Sequence, residues 1–253
     1  MVTSPTYTAV LLLSLLSCVS ASLGVALALA LRANARALAA GMGFSVGIMI
    51  LIAVLELVPQ SIAGAGAGAA LGSALAGAGL VWLAHLIIPH THLVTEKGLA
   101  RRMIARGAYL VALGLILHDV PEGFAMANAF VASPALGLFV ALAIALHNLP
   151  EEFALAVPLV TLRSKAVLYG AALLSALAEP LGALVGLAAV GVAPALNAHF
   201  LGFAAGAMIF VSVHELVPMA RRYARPHDFL SGILVSALAY ALLALTLGRL
   251  VAI

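Results

Sequence analysis

Apolar stretches of twenty or more residues follow one another along almost the whole chain, and that pattern selects the solvent before any motif is considered. A bilayer core about 30 Å thick takes roughly 20 consecutive apolar residues per helical crossing. Eight stretches meet that length, at 8–31, 38–60, 67–89, 108–130, 135–160, 167–191, 199–220 and 229–251. The links between them are short, so residues 1–253 read as a single all-α integral membrane domain. Charged residues make up only 8% of the chain, against about 25% in an ordinary soluble domain. A water-facing exterior cannot be built from that, and lipid is the remaining solvent.

The few basic residues mark topology rather than a nucleic-acid surface. Arg32 and Arg36 follow the first stretch, Lys97, Arg101, Arg102 and Arg106 lie between the third and fourth, Arg163 and Lys165 follow the fifth, and Arg221, Arg222 and Arg225 follow the seventh. The links 61–66, 131–134 and 192–198 hold none. By the positive-inside rule the basic links are cytoplasmic, which predicts both termini outside the cytoplasm of a cell membrane. LLLSLLSCVSA at 11–21 looks like a signal peptide core. Residues 1–10 carry no Lys or Arg, however, so it reads as the first crossing. Gly64, Gly68, Gly72 and Ala76 recur every four residues and predict a smooth helix face for packing within the chain, with a dimer interface as the other reading. One cysteine, Cys18, excludes a disulfide framework and a multi-thiolate metal site.

The acids are distributed in the opposite way. Glu96 and Asp228 fall in cytoplasmic links, while Glu56, Asp119, Glu122, Glu151, Glu152, Glu179 and Glu215 fall inside the stretches. Each costs about 2.5–3.5 kcal/mol at a helix centre, so the set unpaired costs on the order of 20 kcal/mol. No Lys or Arg lies deep in a stretch to offset them. Protonation, water or bound cations must do so, and the excess of negative charge points to cations.

Two of these stretches carry matching motifs, LHDVPEGFAMA from Leu117 and LHNLPEEFALA from Leu146. His118 and Glu122 are four residues apart, as are His147 and Glu151, so each pair projects from one helix face. Asp119 and Asn148 offer an oxygen one position on. Pro121 and Pro150 lack an N–H, which frees the carbonyls of Leu117 and Leu146; Pro180, just after Glu179, does the same for Ala176. Paired broken helices are a transporter's way of building a site at mid-membrane. Imidazole plus carboxylate without thiolate fits Zn²⁺, Fe²⁺, Mn²⁺ or Co²⁺ better than Mg²⁺, Ca²⁺ or Cu⁺. A second echo, LELVP at Glu56 and HELVP at Glu215, joins oppositely directed stretches, as an inverted repeat requires. For Glu56, hydrogen-bonded packing and metal contact both stand as readings. His85, His90 and His92 lie within eight residues at the cytoplasmic end of the third stretch, either as a structural cluster or as a metal relay.

With HDVPEG, HNLPEE, AEPLGA and HELVP in this order, the chain resembles the compact bacterial members of the ZIP family of divalent-metal transporters. The resemblance implies eight helices in a 3+2+3 inverted-repeat arrangement. It further implies uptake of Zn²⁺ or Fe²⁺, with Mn²⁺, Co²⁺ and Cd²⁺ as further cargo, toward the cytoplasm. The metal is cargo rather than a cofactor, and the chain is not an enzyme. One metal position would use His118, Glu122, His147 and Glu151; the adjacent one would use Asp119, Asn148 and Glu179 with Glu122 and Glu151 shared. His85, His90, His92, His214 and Glu215 would form a release path. Helices 1, 4, 5 and 6 would carry the metal, in elevator fashion, against a homodimer-forming scaffold of 2, 3, 7 and 8. Two residues depart from the family pattern: Asp119 stands where Asn is usual and Glu152 where Gly is usual. A different class, an intramembrane metal-dependent hydrolase with Glu152 as general base, would lack the H-E-x-x-H of zinc peptidases. A proton-coupled carrier of organic solutes is the third reading.

Overall fold

A computed structural model describes residues 3–31, 34–87, 118–161 and 165–251. Every element among them is helical. In chain order they are α1 (Ser4–Ser14 and, past a break at Leu15, Leu16–Leu31), α2 (Ala35–Ile52 continuing to Val58–Ala65) and α3 (Ala67–Ile87). Next come α4 (118–132), α5 (Pro134–Thr161) and α6 (Lys165–Val192). The series ends with α7 (a 3-10 turn Pro194–Leu196, then Asn197–Val211 continuing to Val217–Arg221) and α8 (Pro226–Val251). Seven of these are long and apolar enough to cross a bilayer, which makes the chain a multi-pass membrane protein. The predicted residues 108–117 of the fourth crossing lie outside the described residues.

Several helices begin earlier than hydropathy alone predicts, because capping chemistry rather than apolarity sets a helix end. Pro134 and Pro226 occupy first helical positions, where a missing N–H breaks nothing. The Asn34 side chain accepts from the Arg36 and Ala37 N–H groups at 3.0 and 3.3 Å and starts α2 three residues before the predicted 38.

The helices pack as matched pairs. α2 lies along α8, α3 along α7 and α1 along α5. Glycines let the backbones touch: a Cβ at Gly43 would stand 2.0 Å from the Phe229 carbonyl oxygen, and one at Gly206 would stand 1.9 Å from that of Ala74. The same closeness joins α4 to α6, where Gly123 and Gly182 face the Glu179 and Val120 carbonyls. One group thus contains α1, α4, α5 and α6, and the other α2, α3, α7 and α8; α5 against α2 and Phe124 against Phe200 and Phe203 join them.

The LELVP/HELVP echo turns out to be the tail of a longer repeat. GFSVGIMILIAVLELVP (43–59) and GFAAGAMIFVSVHELVP (202–218) agree at ten of seventeen positions. Both end in a π-helical turn, Ala53–Leu57 in α2 and Ser212–Leu216 in α7. There Val58 and Val217 donate five residues back, to Ala53 and Ser212. Each turn sits just before a proline, Pro59 or Pro218, where the regular ladder has lost a donor.

The 63–79 stretch forms the predicted internal face only at its start, where a Cβ at Gly64 would stand 2.6 Å from the Ala198 Cβ of α7. Gly66 takes φ +82°, a left-handed conformation that glycine reaches without a Cβ clash, and this separates α2 from α3. Among the described residues nothing stands within 4 Å of a Cβ at Gly68 or Gly72. It is Gly77, one residue off the four-residue series, that meets the Phe203 carbonyl of α7, at 1.9 Å.

Candidate metal centre

The two H-x-x-x-E pairs meet as the antiparallel course of α4 and α5 demands, but diagonally. His118 Nε2 lies 2.9 Å from Glu151 Oε2, and His147 Nε2 lies 3.0 Å from Glu122 Oε1. Each histidine therefore faces the carboxylate of the other helix rather than the one four residues along its own. His147 Nδ1 is 3.0 Å from the Ala143 carbonyl. A carbonyl only accepts, so Nδ1 carries a proton and Nε2, turned toward Glu122, is the nitrogen this imidazole would offer a metal. One ligand atom each from His118, Glu122 and Glu151 lies within 4.8 Å of the others. Ligands around a tetrahedral Zn²⁺ stand about 3.4 Å apart, so these side chains reach one ion with small rotations.

Helix α6 completes the wall because nothing but hydrogen separates it from α4 at Gly123, next to Glu122. Its Glu179 accepts from Asn148 Nδ2 at 3.1 Å and from the Ser17 hydroxyl of α1. Asp119 takes other partners: His118 Nε2 at 3.4 Å from Oδ1, and the Ser175 hydroxyl at 2.6 Å from Oδ2. Ser175 is also hydrogen-bonded to Glu152. The ligands expected for the second metal position are thus divided between an Asn148–Glu179 pair and an Asp119–Ser175–Glu152 group.

All eight of His118, Asp119, Glu122, His147, Asn148, Glu151, Glu152 and Glu179 are buried. The described ion pairs of these acids are to histidine, with no Lys or Arg among them. Glu122 Oε2, Asn148 Oδ1 and Glu152 Oε2 are buried without a hydrogen-bond partner. Buried acceptors without donors are costly and uncommon. A divalent cation would answer both the missing donors and the uncompensated charge, and imidazole with carboxylate is a donor set that suits one.

Motif reading missed the serines. Ser14, Ser17 and Ser20 recur every three residues along apolar α1, a signal legible in hindsight, and all are buried. Ser20 donates to the Ala145 carbonyl at 2.8 Å, and Ser45 of α2 donates to that of His147 at 3.0 Å. The Ala176 carbonyl freed by Pro180 does not stand open: the Cys18 thiol reaches it at 3.3 Å.

A second cluster lies on the α7 π-helical turn. His85 of α3 pairs with Glu215, and its ring stacks on His214 with centroids 5.5 Å apart. Arg221, which ends α7, and Arg222 just after it follow within about two turns. His90 and His92 lie outside the described residues. At the matching position in α2, Glu56 accepts from Tyr240 of α8 at 2.5 Å, the hydrogen-bonded packing role of its two readings.

Comparison with known proteins finds zinc transporters among the relatives. The zinc transporter ZupT of Stenotrophomonas maltophilia (strain K279a) is 37% identical over 168 residues, which cover 63% of this chain and 62% of the relative. ZupT of Xanthomonas campestris pv. campestris is 38% identical over 184 residues, 69% of this chain and 67% of the relative. The zinc transporter GufA of Myxococcus xanthus is 36% identical over 180 residues, 70% of each. The hydrolase alternative gains no support from them. Since the family pattern described as ZIP Zinc transporter also matches residues 88–252, the chain belongs to the ZIP family.

Proposed function

We propose that this chain carries Zn²⁺, and related divalent ions such as Fe²⁺, Mn²⁺, Co²⁺ and Cd²⁺, across the cell membrane into the cytoplasm. The observation that carries the reading is the pair of diagonal His–carboxylate contacts inside a buried cluster of acids that, among the described residues, has no Lys or Arg partner. A visiting cation offsets the negative charge of such a cluster in lipid. His118, Glu122, His147 and Glu151 hold the first ion. Asp119, Asn148 and Glu179 border the second position. A released ion passes to His85, His214 and Glu215, at the end of α7 that precedes Arg221 and Arg222, and on to His90 and His92.

The finer architecture belongs to the same reading. Eight crossings with basic odd-numbered links put both termini outside the cytoplasm. The matched pairing of α2 with α8 and α3 with α7, and the seventeen-residue repeat, support the inverted 3+2+3 arrangement. The group α1, α4, α5 and α6 then moves as a carrier against the other four. The outward small-residue face at Gly68 and Gly72 supports a homodimer joined through α3.

The test is zinc influx into liposomes that hold purified protein and a zinc-sensitive dye. Wild type admits Zn²⁺, while His147→Ala and Glu151→Ala lose most of the flux. Wild-type flux equal to that of protein-free liposomes overturns the proposal.

A further inference from the structure

Glu152 is the residue that the metal centre leaves unused. It is 6% exposed, and Gly24 of α1 lies against its Cβ, at 2.6 Å from a Cβ built on that glycine. From there its carboxylate reaches across to Ser175 of α6, where Asp119 of α4 also arrives, 2.6 Å from the same hydroxyl. A hydroxyl has one hydrogen and can donate to one of them. The other carboxylate oxygen faces a lone pair, and the two carboxylates are held in mutual range in a region of low dielectric. Glu152 Oε2 is in addition buried without a partner. Three side chains from three helices thus present oxygen only, and Glu152 Oε2 among them lacks a positive partner.

We propose that Asp119, Glu152 and Ser175 form an oxygen-only cation seat beside the histidine-containing centre, and that this seat tilts the chain's preference toward the harder Mn²⁺. The inference rests on the reading of the chain as a metal carrier and sets an order of preference among its proposed cargo ions. Imidazole favours Zn²⁺ and Fe²⁺, whereas carboxylate and hydroxyl oxygens favour Mn²⁺, Mg²⁺ and Ca²⁺. Of these, Mg²⁺ gives up its water reluctantly and suits a dry site poorly. Ca²⁺ takes up to eight oxygens at about 2.3–2.6 Å, a larger shell than the octahedral six of Mn²⁺, and two carboxylates with one hydroxyl offer five. Asp119 joins the two sites: Oδ2 belongs to the seat, and Oδ1 is 3.4 Å from His118 Nε2. A cation can pass from one to the other while remaining on the same carboxylate.

The experiment is equilibrium binding to the full chain in nanodiscs, with Mn²⁺ followed by electron paramagnetic resonance and Zn²⁺ by calorimetry. Glu152→Gln and Ser175→Ala should each lower the Mn²⁺ affinity about tenfold, the lower end of what a lost supporting ligand costs. The Mn²⁺-to-Zn²⁺ affinity ratio should fall with it, and Glu152→Asp should restore part of the loss. His147→Ala should do the reverse, weakening Zn²⁺ while Mn²⁺ binding persists. Unchanged Mn²⁺ affinity in Glu152→Gln, or parallel loss of both ions in every variant, overturns the seat. If Glu152→Gln fails to fold, Ser175→Ala, which removes a single oxygen, decides the matter. Liposome flux separates the two claims. Glu152-dependent Mn²⁺ binding without flux upholds the seat and overturns transport; Zn²⁺ flux without such binding upholds transport and overturns the seat.

Discussion

The contact between α4 and α6 offers a way to disturb the metal centre without touching a ligand. In Gly123→Ala the new Cβ would stand 1.9 Å from the Glu179 carbonyl oxygen and 2.8 Å from the Ala183 nitrogen. Both are backbone atoms in a helix, so neither can rotate aside, and ordinary contact begins at 3.4 Å. The helices must therefore move apart by about 1.5 Å, an overpacking that costs about 1–3 kcal/mol. Metal ligands tolerate displacements of about 0.2 Å. The separation is several times larger, and it falls between Glu122 on one helix and Glu179 on the other. We expect a folded protein with a lowered melting midpoint and Zn²⁺ influx reduced on the order of tenfold or more. Gly170→Ala is the control on the same α6: among the described residues nothing lies within 4 Å of its Cβ. There the gain in helix propensity of about 0.8–1 kcal/mol should leave influx unchanged. Dye-loaded liposomes read the flux, and a thermal melt in detergent reads the fold. A folded Gly123→Ala protein with wild-type influx would refute the argument that backbone contact at this crossing sets the ligand geometry.

Three further outcomes are expected. Added Zn²⁺ should raise the melting midpoint, by the equivalent of about 2.7 kcal/mol when the free ion is a hundredfold above its Kd, and a chelator or His118→Ala should abolish the shift. Influx should fall as the external pH drops from 7.5 to 5, because imidazoles and carboxylates must release protons to take the metal; influx that rises over this range would contradict ligand deprotonation as the controlling step. Ser17→Ala leaves Glu179 with Asn148 and without its α1 donor, and should change Zn²⁺ affinity measured by calorimetry about tenfold while the helical circular dichroism is retained.

Much of this molecule could be read from local pattern. Hydropathy over about twenty residues identifies a crossing because the bilayer acts on each helix by itself. The four-residue spacing of His118 with Glu122 and of His147 with Glu151 follows from helix geometry alone, and so do their shared faces. The weight of negative charge inside the crossings, and with it the expectation of a cation, needs only a count of residues. The seventeen-residue repeat lies in the sequence too, but that each copy carries a π-helical turn near its end is visible only in the structure.

Tertiary structure decided which groups meet. Nothing in the spacing says that His118 faces Glu151 and His147 faces Glu122, because that depends on how α4 and α5 are rotated against each other. It was likewise the crossing of α4 and α6 at Gly123 and Gly182 that sent Asp119 to Ser175 while Asn148 went to Glu179. The serines of α1 became part of the site only when that helix was laid along α5. Lipid rewards a helix for being apolar but is indifferent to its rotation, so rotation is set by close contact with distant parts of the chain, and a single stretch of sequence carries no record of it.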